Sequence, residues 1–264
     1  MSTEPLLVLD GITKNFGAIE ALKGVSFSMR GGEVVALLGD NGAGKSTLVK
    51  IISGGLERSG GRMVYDGREI SFSSPAEAKA AGIETVYQDL SLCTNVDVVA
   101  NFFMGREIVK RFLGIPVLQE RAMEAVTAKA IADAGSRIPS LRTNVEQLSG
   151  GQRQAIELNR FVHWGGKLVL LDEPFAALGV EQTRRGLDMI KKVAAQGIGV
   201  IIITHIMTQA FQVADRMVVI RQGQVAGDVR TAETSADEVV RMITGEAAKA
   251  VPGTREDART TGVA

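Results

Sequence analysis

The sequence predicts an α/β fold with a mostly parallel sheet covered by helices, on three observations. Residues Gly39 to Thr47 read GDNGAGKST and lie between an apolar run, Val34 to Leu38, and an apolar-periodic run, Leu48 to Ser53. That order is a strand, a glycine-rich loop and a helix. From residue 168 onward strand-like and helix-like segments alternate, as Leu168–Leu171, Glu181–Ala195, Val200–Ile203, Met207–Ala214 and Met217–Ile220. Strands separated by helices pair in parallel, because each crossover carries the chain back to the same end of the sheet. Asp66-Gly67, between Met63–Tyr65 and Glu69–Ile70, adds a hairpin signal in the N-terminal part.

The remaining elements follow in order. Leu6–Leu9 and Val25–Met29 read as short strands ahead of Val34–Leu38. Ser74-Pro75 opens a helix in the N-cap and N1 arrangement, Gly82 closes it, and Ile83–Tyr87 is a further strand. From Asn95 to about Phe161 helical spacing dominates, with an Ala-rich amphipathic stretch over Leu118–Ala134. An inserted helical subdomain over about 90–161 is therefore expected. Gln222-Gly223 turns the chain into a last strand, and Ser235–Ile243 forms the last helix. Beyond Gly245 there is no aromatic residue and little to bury, so 246–264 is expected to be a disordered tail behind a domain covering 5–245.

At 264 residues and 45% hydrophobic content the chain has enough apolar surface for one substantial core. Its formal net charge is zero, which removes the electrostatic case for nucleic acid or anionic lipid as the main partner. The single cysteine, Cys93, cannot make an internal disulfide, and a reducing cytoplasm is the expected setting. The N-terminus, with Glu4 and a very short apolar stretch, is not expected to be a signal peptide. No apolar run approaches the ~20 residues that cross a bilayer. Work at a membrane would require other chains to hold this one there.

The chemistry begins at the glycine-rich loop. Gly39, Gly42 and Gly44 let the backbone curl so that successive N–H groups converge on phosphate oxygens. Asp40, Asn41 and Ala43 fill the loop, and the helix that follows adds the positive end of its dipole. Lys45 supplies a cation for β- and γ-phosphates, and the Ser46 hydroxyl is placed for Mg²⁺. A nucleoside triphosphate is the expected ligand. Downstream, KLVLLDE (Lys167–Glu173) ends an apolar strand in two acids, where open α/β sheets bind ligands. Asp172 is the candidate Mg²⁺ anchor beside Ser46, and Glu173 the candidate general base for water. The plain alternative is an acidic helix cap at either residue. Leu148–Gln152 reads LSGGQ and opens a helix: Ser149 fits the N-cap, and Gly150 and Gly151 leave amides bare ahead of Gln152. Alone, that segment is a cap and a hinge.

Taken in order, these motifs resemble the ATP-binding subunit of an ATP-binding-cassette (ABC) transporter, over roughly residues 5 to 245. GDNGAGKST is similar to the family's phosphate loop, LSGGQ to its signature and LVLLDEP to its acidic strand. Gln88 in VYQDL resembles the Q-loop glutamine, His205 in IIITH the switch histidine, and Phe16 in KNFGAIEAL the aromatic residue that stacks on adenine. Without the resemblance, Phe16 would be a strand-edge aromatic packed on the core and His205 a polar residue ending a strand. His163 matches no motif. The resemblance implies a phosphate-loop NTPase fold with an N-terminal antiparallel β subdomain and an inserted helical subdomain. It implies ATP and Mg²⁺ as cofactors, with Ser46, Gln88 and Asp172 on the metal side and Glu173, His205 and Gln88 in hydrolysis. Two subunits would sandwich two ATP molecules, each phosphate loop facing the Ser149–Gly151 amides of the other, with Gln152 beside them.

One departure stands out. Where the family usually reads D-E-P-T-S-A-L-D this chain reads DEPFAALG, so Gly179 replaces an Asp that helps tie the two sites together. With VYQDLSLCTNVDVVANFFMGRE and ITHIMTQAFQVADRMVVIRQGQ, that variant looks like the ATPase subunits of bacterial monosaccharide importers of the ribose, xylose and fructose type. The partners implied are a second ATP-binding subunit, a transmembrane permease and, indirectly, an extracytoplasmic sugar-binding protein, at the cytoplasmic face of the membrane and without nucleic acid. An importer for amino acids or lipids and a soluble non-transport ATPase of the same family stay open. Leu90–Met104 reads either as a docking surface for the permease or as the core face of the helical subdomain.

Overall fold

The computed structural model describes residues 4–86, 92–133, 138–164, 166–175 and 179–246. The elements run β1 (Leu7–Phe16), β2 (Ile19–Met29), β3 (Val34–Leu38), α1 (Lys45–Ile52), β4 (Gly60–Tyr65), β5 (Arg68–Glu69), α2 (Pro75–Ala80) and β6 (Ile83–Val86). They continue α3 (Val98–Phe103), β7 (Val109–Phe112), β8 (Ile115–Leu118), α4 (Glu120–Asp133), α5 (Gly150–His163) and β9 (Leu168–Asp172). The last are α6 (Val180–Ala195), β10 (Gly199–Ile203), α7 (Met207–Val213), β11 (Arg216–Arg221), β12 (Gln224–Arg230) and α8 (Ala236–Thr244).

A six-stranded sheet in the order β12-β11-β3-β10-β9-β6 forms the centre. Every pairing in it is parallel except β11–β12. β3 is buried at all five positions, as a strand covered on both faces requires. Its alternate residues enter different cores. Val35 and Leu37 pack with the antiparallel sheet and α1, while Val34, Ala36 and Leu38 pack with α6 and α7. The second sheet, β2-β1-β4-β5, is antiparallel throughout. The strand–helix alternation after residue 168 is borne out, as are the hairpin at Asp66-Gly67 and the Ser74 cap, whose side chain accepts from Glu77 N–H.

Two expectations need correcting. β1 and β2 are 10 and 11 residues long, longer than Leu6–Leu9 and Val25–Met29. Their alternation is broken at Gly11, where φ is +61° and the register shifts between Leu9 and Ile12, so a bulge hides the continuation. The block from Asn95 to Phe161 is not helical throughout, because β7 and β8 form a separate hairpin inside it. Its turn, Leu113-Gly114, has φ of +49° and +82°, the two positive values of a type I′ turn. Of the two readings of Leu90–Met104, the core face is the one seen over residues 92–104: Leu92 and Val98 join one small cluster of the helical part, Val99, Phe102 and Phe103 another. Tyr87, Leu90, Ala134 and the tail at 247–264 lie outside the described residues.

Candidate nucleotide site

Parallel register brings the site together. Ile203 of β10 pairs with Asp172 of β9 and with Leu37 of β3, so the chain leaves all three strands at one edge of the sheet. Loops at the carboxyl edge of a parallel sheet are where such folds bind ligands. Beyond β3 comes the glycine-rich loop. A Cβ at Gly39, whose φ is +144°, would overlap the carbonyl oxygen of Ile220 in β11. At Gly44, φ +110°, it would lie 2.7 Å from Leu22 Cδ2 and 2.9 Å from Ala21 O. Only glycine fits either position. The loop is pinned from behind by the turn after β11, where Gly223 N–H donates to Ala43 O at 2.9 Å. That support was not visible in the sequence.

Lys45 begins α1 and is buried. Its Nζ donates to Gly39 O at 2.6 Å and Asp40 O at 2.8 Å, folding the side chain back across the mouth of the loop. Burial holds its pKa below the ordinary lysine value, against the opposing pull of Glu173, Asp172 and Asp40. Asp172 is shifted the other way. Burial raises its pKa first, then the neighbouring Glu173, with Lys45 and Lys50 as partial offset. One lysine and two adjacent carboxylates thus stand close together, partly buried, at the strand ends. Asp40, Asn41, Gly42 and Ser46 are exposed, Gly39, Gly44 and Thr47 half-buried and Ala43 buried.

Glu173 takes φ +48°, a left-handed value uncommon in a residue with a side chain, and its N–H donates to Ile203 O at 2.9 Å. That twist turns the carboxylate toward the end of β10. There Glu173 Oε1 meets His205 Nδ1 at 3.0 Å, with side-chain exposures of 21% and 60%. A carboxylate oxygen accepts, so the imidazole donates from Nδ1. His205 is positioned by a residue that sequence reasoning passed over. Buried Thr204 donates to Gln209 Oε1 at 3.1 Å and accepts from Ile206 N–H at 3.1 Å, fixing the turn that carries the imidazole. Its signal was a polar residue at the end of an otherwise apolar strand.

The other expected residues lie on other elements. Phe16, at the end of β1, is 48% exposed with Lys14 Nζ 5.3 Å from its ring centroid, so it is not packed on the core. Ser149 and Gln152 cap α5 reciprocally: Gln152 N–H donates to Ser149 Oγ at 3.3 Å, and Ser149 N–H to Gln152 Oε1 at 3.0 Å. Gly150 is exposed and Gly151 half-buried. Gly179 is the N-cap of α6 without a side-chain cap, and a Cβ there would lie 2.7 Å from Gln182 Oε1. Gln88 lies outside the described residues.

Phe175 of DEPFAALG is buried, and a Cβ at Gly186 of α6 would overlap its ring. We expect Gly186→Ala to lower stability by about 1–3 kcal/mol through overpacking, although Ala in a helix is otherwise favoured by ~1 kcal/mol. In a Phe175→Thr background the same change should stabilise. Urea unfolding of the four proteins checks this, and a stabilised Gly186→Ala single variant would refute the packing account.

Comparison with known proteins agrees with this geometry. A family model described as ABC transporter matches residues 22–176. The xylose/arabinose import ATP-binding protein XylG of Sulfolobus acidocaldarius is 42% identical over 90% of this chain and 94% of its own length. The fructose import ATP-binding protein FrcA of Rhizobium meliloti is 39% identical over 93% and 96%. The ribose import ATP-binding protein RbsA of Yersinia pestis is 36% identical over 93% of this chain, which spans 47% of that relative. Among solved structures, MJ1267, an ATP-binding cassette of an ABC transporter, superposes with a TM-score of 0.79 at 27% identity, over 91% of this chain and 99% of that one. A strand-end lysine loop facing an acid–histidine pair, on a backbone shared with such a cassette, and a family match over more than half the sequence place this chain in the ABC transporter family.

Proposed function

We propose that the chain hydrolyses ATP to power import of a monosaccharide through a membrane permease. The observation that carries the chemistry is the Glu173–His205 pair at the strand edge beside Lys45. In this reading the loop Gly39–Thr47 holds the phosphates and Phe16 offers its exposed ring face to adenine. Glu173 takes a proton from the attacking water, and His205 and Gln88 steady the γ-phosphate and that water. The Ser149–Gly151 segment, where the Gly150 and Gly151 amides are bare, closes on the phosphates of a second copy, which makes the working unit a dimer. The sugar cargo is supported by relatives named for xylose/arabinose, fructose and ribose import. No helix among the described residues is long and apolar enough to cross a membrane. The permease therefore supplies the path, at the cytoplasmic face, with a sugar-binding protein delivering cargo from the other side.

The residues fit Mg²⁺. Asp172 and Glu173 stand side by side with their charge only partly offset, and the Ser46 hydroxyl is exposed on the first turn of α1. One carboxylate, one hydroxyl, phosphate oxygens and water form the donor set of this hard cation. When bound, Mg²⁺ would offset phosphate charge; Asp172 and Ser46 would hold it.

Two measurements test the reading. In vesicles carrying the permease and loaded binding protein, a monosaccharide should drive ATP-dependent uptake; uptake of amino acids alone would overturn the cargo and leave the ATPase standing. For the metal, we expect Asp172→Asn to abolish the extra thermal stabilisation that Mg²⁺ adds to ATP. Because the folded-state pKa of Asp172 is raised, its ionised form is penalised at neutral pH, and that penalty disappears as pH falls through the raised value. Neutralisation by Asn should thus raise the melting temperature of the nucleotide-free chain, by about 2–4 °C for each kcal/mol relieved. A persistent Mg²⁺ increment would refute the metal assignment.

A further inference from the structure

The largest concentration of exposed apolar side chains among the described residues is the β7–β8 ribbon. Phe112, Leu113 and Ile115 at its tip are 69%, 88% and 66% exposed. Among the described residues its two strands pair only with each other. Its base is firmly held: Gln119 N–H donates to Ile108 O at 2.8 Å, and Arg106 pairs with Glu84 while its guanidinium lies 5.2 Å from the Trp164 ring centroid. Strands of four residues at about 3.3 Å each make an arm about 13 Å long.

The charge pattern names the partner. Val109 pairs with Leu118 and Arg111 with Pro116, while Lys110 pairs with Val117 and Phe112 with Ile115. Paired residues share a face and successive residues alternate, so each face carries one cation and three apolar residues. Both cations stand back from the tip, and residues 108–118 contain no acid. A tip apolar on both faces requires a partner that surrounds it, whereas a groove on a protein covers one face of a ribbon. A cationic collar requires a partner with negative charge. The cytoplasmic loops of a permease carry an excess of Lys and Arg and would repel it. Anionic headgroups over acyl chains meet both requirements, taking the apolar tip below and the snorkelling cations at their own level. The whole chain is neutral, so this attraction is local to the arm.

We infer that the β7–β8 ribbon is a membrane-surface contact whose tip enters an anionic lipid interface beside the permease. The inference rests on the reading above that the chain works at a membrane, and it adds a contact that bypasses the permease.

The test is sedimentation of the purified full chain with vesicles of phosphatidylcholine, with and without phosphatidylglycerol. The wild type should bind the mixed vesicles, more weakly at high salt, and bind neutral ones poorly. Lys110→Gln with Arg111→Gln should weaken partitioning by about 25-fold, at roughly fivefold per cation. Phe112→Ser with Leu113→Ser should weaken it at least tenfold, and both pairs should keep the wild-type melting temperature and ATPase. Absence of wild-type binding, or equal binding by wild type and variants, overturns the inference. Vesicle binding unchanged while the tip variant no longer co-purifies with the permease in detergent overturns it in favour of a protein contact. A ribbon-dependent change in oligomeric state on gel filtration overturns it in favour of a contact between copies. Sugar uptake by the reconstituted wild-type complex tests the transport reading separately, so uptake intact with vesicle binding absent removes the arm's role alone.

Discussion

Glu173→Gln should slow ATP hydrolysis by about 10²–10⁴-fold, the range a positioned general base contributes, while leaving ATP affinity close to wild type. The backbone that aims this side chain is independent of its charge. The +48° φ and the hydrogen bond from Glu173 N–H to Ile203 O persist in glutamine, which also keeps an oxygen within reach of His205 Nδ1. What glutamine cannot do is accept a proton from water. An ATP-loaded dimer formed through the Ser149–Gly151 segment should therefore accumulate, since reopening depends on hydrolysis. Single-turnover kinetics with gel filtration in ATP checks both parts. Hydrolysis near the wild-type rate would transfer the base to another group, with His205 the nearest candidate.

Much of this site was legible because its demands are local. A loop that must turn its amides inward needs glycine at defined places, and the lysine and hydroxyl that follow sit one after another on the first turn of α1. Asp172 and Glu173 were legible because a strand buried on both faces reads as an unbroken apolar run, ending at the first charged residue. The bond between Glu173 and His205 was not. It joins residues 32 positions apart, and only the pairing of β9 with β10 sets it. Gly223, which braces Ala43 from the far side of the loop, was hidden for the same reason. The β7–β8 ribbon was missed for a different one. Its pairing is local, but Val, Lys, Arg and Phe in succession fit one turn of an amphipathic helix as well as a strand, and Leu113 stands where a hairpin turn more often has Asn or Asp.

Lys45→Ala should act on binding as well as on rate, which separates it from the glutamate variant. In the structure Lys45 Nζ bonds two loop carbonyls, Gly39 O and Asp40 O, and its charge is opposed to Asp172 and Glu173. Alanine removes the cation that would answer the phosphates and leaves the two carboxylates facing them. The loss of one charge-assisted hydrogen bond, about 1.5–3 kcal/mol, corresponds to roughly 10–150-fold in nucleotide affinity, and the uncompensated acids add repulsion to it. Equilibrium binding of a fluorescent ATP analogue measures the loss directly, and unchanged affinity would remove Lys45 from the nucleotide site. The same variant also probes the shared site. Mixed with Ser149→Arg, which blocks the capping segment of α5 but leaves the phosphate loop intact, it should form heterodimers with one intact composite site, and activity should reappear between two inactive preparations. If the mixture stays as inactive as its parts, each chain hydrolyses ATP without the other's Ser149–Gln152 segment, and the dimer is not the catalytic unit.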